Sequence, residues 1–304
     1  MKEILNSIIV KNKQLAKILK NPQAKEGLNN WLLTELAYTS NHIEGNTLTR
    51  EETALAITEG ITIAQKPVKD YLEATNHAEA FKFILELSAK KGDITEDDIL
   101  KIHRKVLAGI NEDYAGRYRN VRVRIAGSSV VMPNPLKVPD LMKEFVNFIN
   151  SHSLAMPEMA ISAHFKFVSI HPFIDGNGRV GRLLMNLILL KGGYQPIIIR
   201  PRDRKQYINS IEKGQLKEDL MPYNTFMFKA FERSIDTYID MFDNAASDVQ
   251  QNKLMKISEF AKACGVPVST IRYYLRVGKI KPAAKTAGDY MLFSEDQVKE
   301  VVWK

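Results

Sequence analysis

Twelve consecutive residues hold most of the side chains in this chain that could do chemistry together: His171-Pro172-Phe173-Ile174-Asp175-Gly176-Asn177-Gly178-Arg179-Val180-Gly181-Arg182. They lie between two apolar segments and read as a loop that runs into a helix N-terminus. Free backbone N–H groups and the positive end of the helix dipole there make an anion site. Gly176 and Gly178 let the backbone approach a phosphate closely. Arg179 and Arg182, three apart in the first turns, can fork onto phosphate oxygens. Asp175 offers the hard oxygen that Mg²⁺ prefers, and Mg²⁺ in turn bridges to phosphates. His171, with an ordinary pKa of about 6.5, is the group here suited to taking a proton at neutral pH. A base, a metal carboxylate and a phosphate cradle in one loop predict a site that handles a nucleotide.

The elements around this loop are mostly helical by apolar spacing. Ile4, Ile8, Ile9, Leu15 and Ile18 mark a first helix, which Pro22 and Gly27 should break before a second runs from Leu28 to about His42. Further helices are expected over 50–59, 70–90 and 95–108, the last started by Thr95 with Asp98 three residues on. More should follow over 139–151, 157–170, 178–191 (stopped by Gly192-Gly193), 204–213 and 221–244. One region alternates instead. Val121, Val123 and Ile125 interleave with Arg122 and Arg124, Gly127-Ser128-Ser129 turns the chain, and Val130-Val131 returns, which predicts a β-hairpin. The polar stretch 243–252 reads as a linker, and the last fifty residues as a separate small unit. The expected organisation is an N-terminal helical region over 1–92, a core with its following helices over 93–244, and a C-terminal module over 253–304.

Bulk properties agree with a folded chain of this kind. Of 304 residues, 45% are hydrophobic and 26% charged, enough to bury a real core. The longest apolar run, Leu183 to Leu190, is interrupted by Asn186, too short to cross a bilayer, so no membrane partner is expected. The N-terminal stretch lacks the run of a signal peptide, and a single cysteine, Cys264, suits a reducing compartment. A cytoplasmic location is therefore expected. The net charge is +8, and ten Lys/Arg against five Asp/Glu from Lys253 onward place five of those charges in the tail. Such a patch can meet phosphates or simply aid solubility.

The loop resembles the Fic family at every fixed position of its signature, His-x-Phe-x-[Asp/Glu]-Gly-Asn-Gly-Arg-x-x-Arg, and the resemblance extends over most of residues 30–240. It implies a mainly α fold: a Fic-type helical core with a small β-hairpin flap. It also implies that His171 deprotonates a target Ser, Thr or Tyr hydroxyl, which attacks the α-phosphorus of ATP with pyrophosphate leaving. Asp175 would hold Mg²⁺ on the α- and β-phosphates; Gly176, Asn177 and Gly178 would form the anion cradle. Arg179 would grip the phosphates, Arg182 the γ-phosphate, and Phe173 would anchor the loop by burying its ring. The Gly-Asn-Gly-Arg version resembles the AMP-transferring members, with UMP or phosphocholine transfer left open. The hairpin of Val121, Val123 and Ile125 is either a plain structural element or a flap that docks an extended target segment by strand addition; the resemblance favours docking.

Ser40 and Glu44 are four apart and share one helical face. On its own the pair reads equally as an exposed glutamate near a helix end. With Gly45 it resembles the family's inhibitory motif, [Ser/Thr]-x-x-x-Glu-[Gly/Asn], whose glutamate pairs with the second arginine of the signature. That implies a brake in which Glu44 holds Arg182 away from the γ-phosphate. Glu44 also permits the reverse reaction, activating water to remove AMP from a modified target.

In the tail, Ser258 and Ser269 read as caps of two helices around a Gly265 turn, followed by a small wing at Gly278–Pro282 and Tyr290–Phe293. This winged helix-turn-helix is similar to the DNA-binding head of the MerR family, with Thr270-Ile271-Arg272-Tyr273-Tyr274 carrying the likeness. Arg272, Arg276 and Lys279 are the phosphate-contact candidates. Winged helices also dock proteins, so the module implies either a DNA or a protein partner. The sequence leaves the oligomeric state open, a homodimer included. Three functions stand at this point: an Mg²⁺- and ATP-dependent protein adenylyltransferase, an AMP-removing hydrolase, and a non-catalytic DNA-binding regulator.

Overall fold

A computed structural model describes residues 2–151, 153–251, 255–285, 291–294, 297–298 and 301. The chain divides into two compact units, Met1–Tyr238 and Ile239–Lys304.

The first unit is helical. α1 (Lys2–Ile18), α2 (Pro22–Ile43), α3 (Arg50–Thr58), α4 (Val68–Ala89) and α5 (Glu96–Leu107) precede a long irregular stretch. After it come α6 (Val138–Ile149), α7 (Met156–Ile170), α8 (Asn177–Lys191), α9 (Arg204–Lys217) and α10 (Met221–Gln251), whose residues from Ile239 onward belong to the second unit. α8 is the axis of the unit, with α7, α4 and α5 packed around it and α2 lying on α4. Its apolar residues run all round the helix, and Val180, Leu183, Leu184, Met185 and Leu187 are each at most 1% exposed. A helix of that pattern is buried on every side, so Arg179, Arg182 and Asn186 are carried into the interior with it.

Local chemistry sets the helix ends. Thr49 with Glu52 and Thr95 with Asp98 form capping boxes at the starts of α3 and α5. Pro22 starts α2 rather than breaking a helix: Asn21 accepts from the N–H groups of Gln23 and Ala24, and proline at the first helical position gives up only an N–H with no helical partner. Gly27 lies inside α2, where its neighbours Leu28 and Leu32 are buried.

Residues 121–131 fold back at a turn closed by Ser128 N–H to Ile125 O, without a strand ladder. Two of the backbone groups in this stretch, Val121 O and Ser129 N–H, are engaged elsewhere. Arg119 takes the carbonyls of Val121 and Pro133, and Glu212 on α9 takes Ser128 Oγ and Ser129 N–H. The stretch expected as a linker continues α10 to Gln251, because 243–251 contains alanines and glutamines and no Gly or Pro. Asn252 and Lys253 lie outside the described residues.

The second unit has its own core. β1 (Met255–Lys256), α11 (Ile257–Ala263), α12 (Val268–Arg276), β2 (Ala284–Lys285) and β3 (Met291–Phe293) form a helix pair and a small antiparallel sheet of order β1-β3-β2. Phe260 and Phe293 stack with ring centroids 4.5 Å apart, joining α11 to the sheet, and Ile271 and Ile280 close the cluster. Gly265 turns between the helices at φ +67°, as expected. The caps differ from expectation. Lys256 and Pro267 occupy the N-cap positions and Ser258 and Ser269 fall in the first turns, with Glu259 reaching back to Lys256 N–H at 2.9 Å. Tyr290 of the expected wing lies outside the described residues. Arg272, Arg276 and Lys279 are exposed; Lys279 Nζ sits 4.3 Å over the Tyr274 ring. Among the described residues no helix is long and apolar enough to cross a membrane.

Candidate active site

The loop between α7 and α8 is held from inside. Phe173 is fully buried and stacks face to face on His103, centroids 3.6 Å apart. Asn177 closes the loop with two bonds to one residue, accepting from Phe173 N–H and donating to Phe173 O, both at 2.9 Å. Its side chain therefore shapes the loop, leaving its backbone N–H for an anion. Gly176 takes φ +79° at the start of α8, a conformation that disfavours a side chain. His103 accepts from Gly116 N–H at Nδ1, so its Nε2 carries the proton and donates to Asp175 O at 3.1 Å.

His171 ends α7 in the left-handed region, φ +50° and ψ +58°. A histidine in this region is uncommon and worth about 1–3 kcal/mol of strain that the surroundings must hold. Arg119 supplies much of the hold. Fully buried, it donates to His171 O at 2.8 Å and to Pro133 O at 2.7 Å, while its own N–H reaches Pro172 O at 2.9 Å. His171 Nδ1 lies 3.4 Å from Val168 O, which can only accept, so Nδ1 is protonated and Nε2 is the free acceptor. Burial, with the Arg119 guanidinium behind it, lowers the His171 pKa below the ordinary value against the opposite pull of the Val168 carbonyl, Glu44 and Asp175. The ring is neutral at pH 7, as a base must be. Arg119→Ala should cost about 3 kcal/mol, because it leaves several part-buried carbonyls without the charged donor that satisfied them. Urea unfolding would measure this, and an unchanged midpoint would contradict it.

Both arginines of α8 are buried. Arg179 donates to Glu73 Oε1 at 3.0 Å and to Asp175 Oδ1 at 3.3 Å, and its Nε is a buried donor without a partner among the described residues. Arg182 donates through Nε to Ser40 Oγ and through Nη2 to Ser40 O, each at 2.9 Å, and to Glu44 Oε1 at 2.7 Å. Burial disfavours its charge, yet the Glu44 carboxylate and the Tyr207 hydroxyl hold its pKa above the ordinary value. Ser40, Glu44 and Arg182 thus come together in the structure. Glu44 caps α2, and a Cβ built on Gly178 would collide with its Oε1, so the carboxylate fills the space before the start of α8. Arg204 at the start of α9 adds a bond from Nε to Ile43 O at 2.6 Å, one residue before Glu44.

Behind Arg182 lies a network that the sequence did not announce. Tyr223 O–H donates to Ile161 O at 3.0 Å, so its oxygen accepts from His164 Nδ1 at 2.8 Å. His164 Nε2 then accepts from Tyr207 O–H, also at 2.8 Å, which frees the Tyr207 oxygen to face Arg182. Burial pushes His164 down to about 3 and Tyr207 up to about 12. His77, buried beside Arg179 and Arg182, is likewise down at about 3, and burial takes His103 to about 4. These depressed histidines contribute stability that is fully present above the unfolded pKa of about 6.5 and is lost as pH falls towards 3–4. At pH 5 each costs about 2 kcal/mol, together about 6, a large share of a typical total. Unfolding midpoints at pH 7 and pH 5 should differ accordingly, and equal midpoints would count against the buried, neutral state of these rings.

Asp175 fits a metal that arrives with its ligand. Its side chain is 47% exposed at the loop surface, and Oδ1 is occupied by Gly176 N–H and Arg179. Among the described residues no group of three or more His, Cys, Asp or Glu could hold a metal ion alone. Mg²⁺ is commonly held by one or two carboxylates plus substrate phosphates, and one carboxylate is what this site offers. Val121 and Val131 on the flap stay exposed, at 50% and 91%, a surface an extended segment could meet.

Comparison with known proteins gives two family matches: residues 93–189 to the Fic/DOC family and residues 256–293 to the MerR family regulatory protein. The chain is 38% identical over 209 residues to protein adenylyltransferase Fic of Nematostella vectensis, covering 66% of this chain and 48% of that protein. It spans about half the length of the curated relatives it matches. Among solved structures, Fic-1 of C. elegans superposes with a TM-score of 0.73 at 30% identity, covering 80% of this chain and 73% of that one. A Fic domain containing signaling protein of Bacteroides thetaiotaomicron gives 0.67 at 28%, covering 75% and 96%.

Proposed function

Because this chain belongs to the Fic family, we propose that it transfers AMP from ATP to a Ser, Thr or Tyr hydroxyl of a protein and that Glu44 restrains the reaction. The observation that carries the proposal is the ring of groups around the start of α8: a free His171 Nε2, the unpartnered Arg179 Nε, and an Arg182 already occupied by Glu44.

In this reading the backbone N–H groups of Asn177 and Gly178 and the Arg179 side chain receive the phosphates at the positive end of the α8 dipole. Arg182, once released from Glu44, takes the γ-phosphate. His171 Nε2 accepts the proton of the target hydroxyl as its oxygen bonds to the α-phosphorus and pyrophosphate leaves. Arg119 and Val168 aim the ring. Asp175 would hold Mg²⁺, which supplies charge neutralisation on the phosphates when bound. The chemistry is mostly positioning and electrostatics, as in phosphoryl transfer generally. The target segment lies along the flap past Val121, Val123 and Ile125, fixed by main-chain bonds. Supplying ATP labelled at the α-phosphate tests the transferred group. A labelled protein band is expected; label arriving only from γ-labelled ATP or α-labelled UTP would overturn AMP transfer.

A second activity has one observation in its favour. The Glu44 side chain is 37% exposed, and only Oε1 is engaged by Arg182. A carboxylate so placed could activate water and remove AMP from a modified target. Incubating AMP-labelled target with the wild-type chain decides it, since release that Glu44→Gly abolishes is the expected sign. The C-terminal unit, with Arg272 and Arg276 exposed four apart on α12, supports a DNA or protein partner for that module.

A further inference from the structure

We propose that the cleft between α9 and α10 binds an organic anion carrying phosphate groups, at a site separate from the His171–Arg182 loop. The cleft holds about 740 Å³, inside the range of small-molecule sites. Arg202, Lys205, Lys213 and Lys229 line it, and none of the four forms a salt bridge among the described residues. A fifth cation, Arg233, is held at 2.6 Å by Asp203, the one carboxylate in the lining.

Three acids of the same helices face elsewhere. Glu212 on α9 holds the flap at Ser128, while Glu232 and Asp236 on α10 hold Lys11 of α1. α9 thus carries two separate faces. Positions 205, 209 and 213 recur every fourth residue toward the cleft, whereas Glu212 and Gln215 reach Ser128 and Ser169 on the flap and α7 side. Four cations around one concavity whose single carboxylate is already matched by Arg233 raise its potential, and an anion relieves their repulsion.

The rest of the lining narrows the ligand. Pro222 and Phe226 give an apolar floor with Met221 exposed at its edge, and Gln206, Asn209 and Thr225 add neutral polar groups to the lining. A bare inorganic ion would leave the floor unused, and a carboxylate-rich peptide would meet the cations while offering that floor little. A molecule with a flat or apolar body and phosphates, of nucleotide size, uses all three.

The test is calorimetric titration of the full chain with ADP, comparing wild type with Lys205→Glu/Lys229→Glu. Both lysines are exposed, so the double variant should fold; its unfolding midpoint checks this. A cleft site that weakens at least tenfold in the variant is expected. If the α8 loop also binds ADP, the wild type shows two sites and the variant keeps one, which Arg179→Ala then removes. If the loop does not bind, the wild type shows one site and the variant none, so failure of the loop reading stays distinguishable. Identical ADP binding in wild type and variant would overturn the proposal. So would cleft-dependent binding of hexaglutamate without binding of ADP, which would make the cleft a docking surface for acidic peptides.

Discussion

Glu44→Gly is expected to raise AMP incorporation by the chain on the order of 10²-fold, the size of effect seen when one oriented donor to a transition-state oxyanion is lost or restored. The carboxylate holds Arg182 at 2.7 Å and fills the space before Gly178. Removing it does not unmoor the arginine, since Ser40 still accepts from Nε and Nη2 and Tyr207 stands behind it. The freed guanidinium and the vacated space would then both be open to the phosphates of a bound nucleotide. The fold should tolerate the change. Glu44 is the C-cap of α2 and its side chain is 37% exposed, but Arg182 is buried, so loss of the pair should cost about 3 kcal/mol, which a domain of typical stability survives. Label incorporation from α-labelled ATP measures the effect. A variant no faster than wild type would remove the brake from the account while leaving the site intact.

His171→Ala in the Glu44→Gly background abolishes incorporation, by about 10²–10⁴-fold if the histidine is the general base. Its ring touches neither arginine in the bonds described, so nucleotide binding should survive, and a loss of label with ADP affinity unchanged is the expected pattern. The pH profile adds an independent reading. Because burial holds the His171 pKa below its ordinary value, the base stays neutral as pH drops through about 6.5, and the rate should begin to fall only at lower pH. A profile that already falls between pH 8 and 7 would point to another group as the base.

Much of the site was legible because its parts are close in sequence. Asp175, Gly176, Asn177, Gly178 and the two arginines share one short loop and the helix it feeds, so chain connectivity alone keeps them near one another. Even the distant partners Ser40 and Glu44 could be placed, because spacing of four puts them on one face and the resemblance named their counterpart. What escaped were single polar residues whose roles exist only after packing. Glu73 reads as one more polar position on an amphipathic helix, yet it is buried against Arg179. Arg119 sits ahead of the flap with nothing in its neighbours to foretell a fully buried guanidinium serving several carbonyls. His103, His164 and Tyr207 were likewise indistinguishable from ordinary core or surface residues. The flap differs in kind: alternation predicted extended chain and a turn, but no ladder forms, and Val121 O and Ser129 N–H are taken by Arg119 and Glu212, residues that periodicity does not see.

The central claim, that an AMP group passes from ATP to a protein hydroxyl under the control of this loop, is tested most directly by mass spectrometry. Purified Glu44→Gly chain would be incubated with Mg²⁺, ATP and a lysate, and the modified residues mapped. The account predicts adenylate on Ser, Thr or Tyr side chains, absent when His171→Ala is added. A phosphate or uridylate in its place, or adenylate that persists without His171, would contradict it.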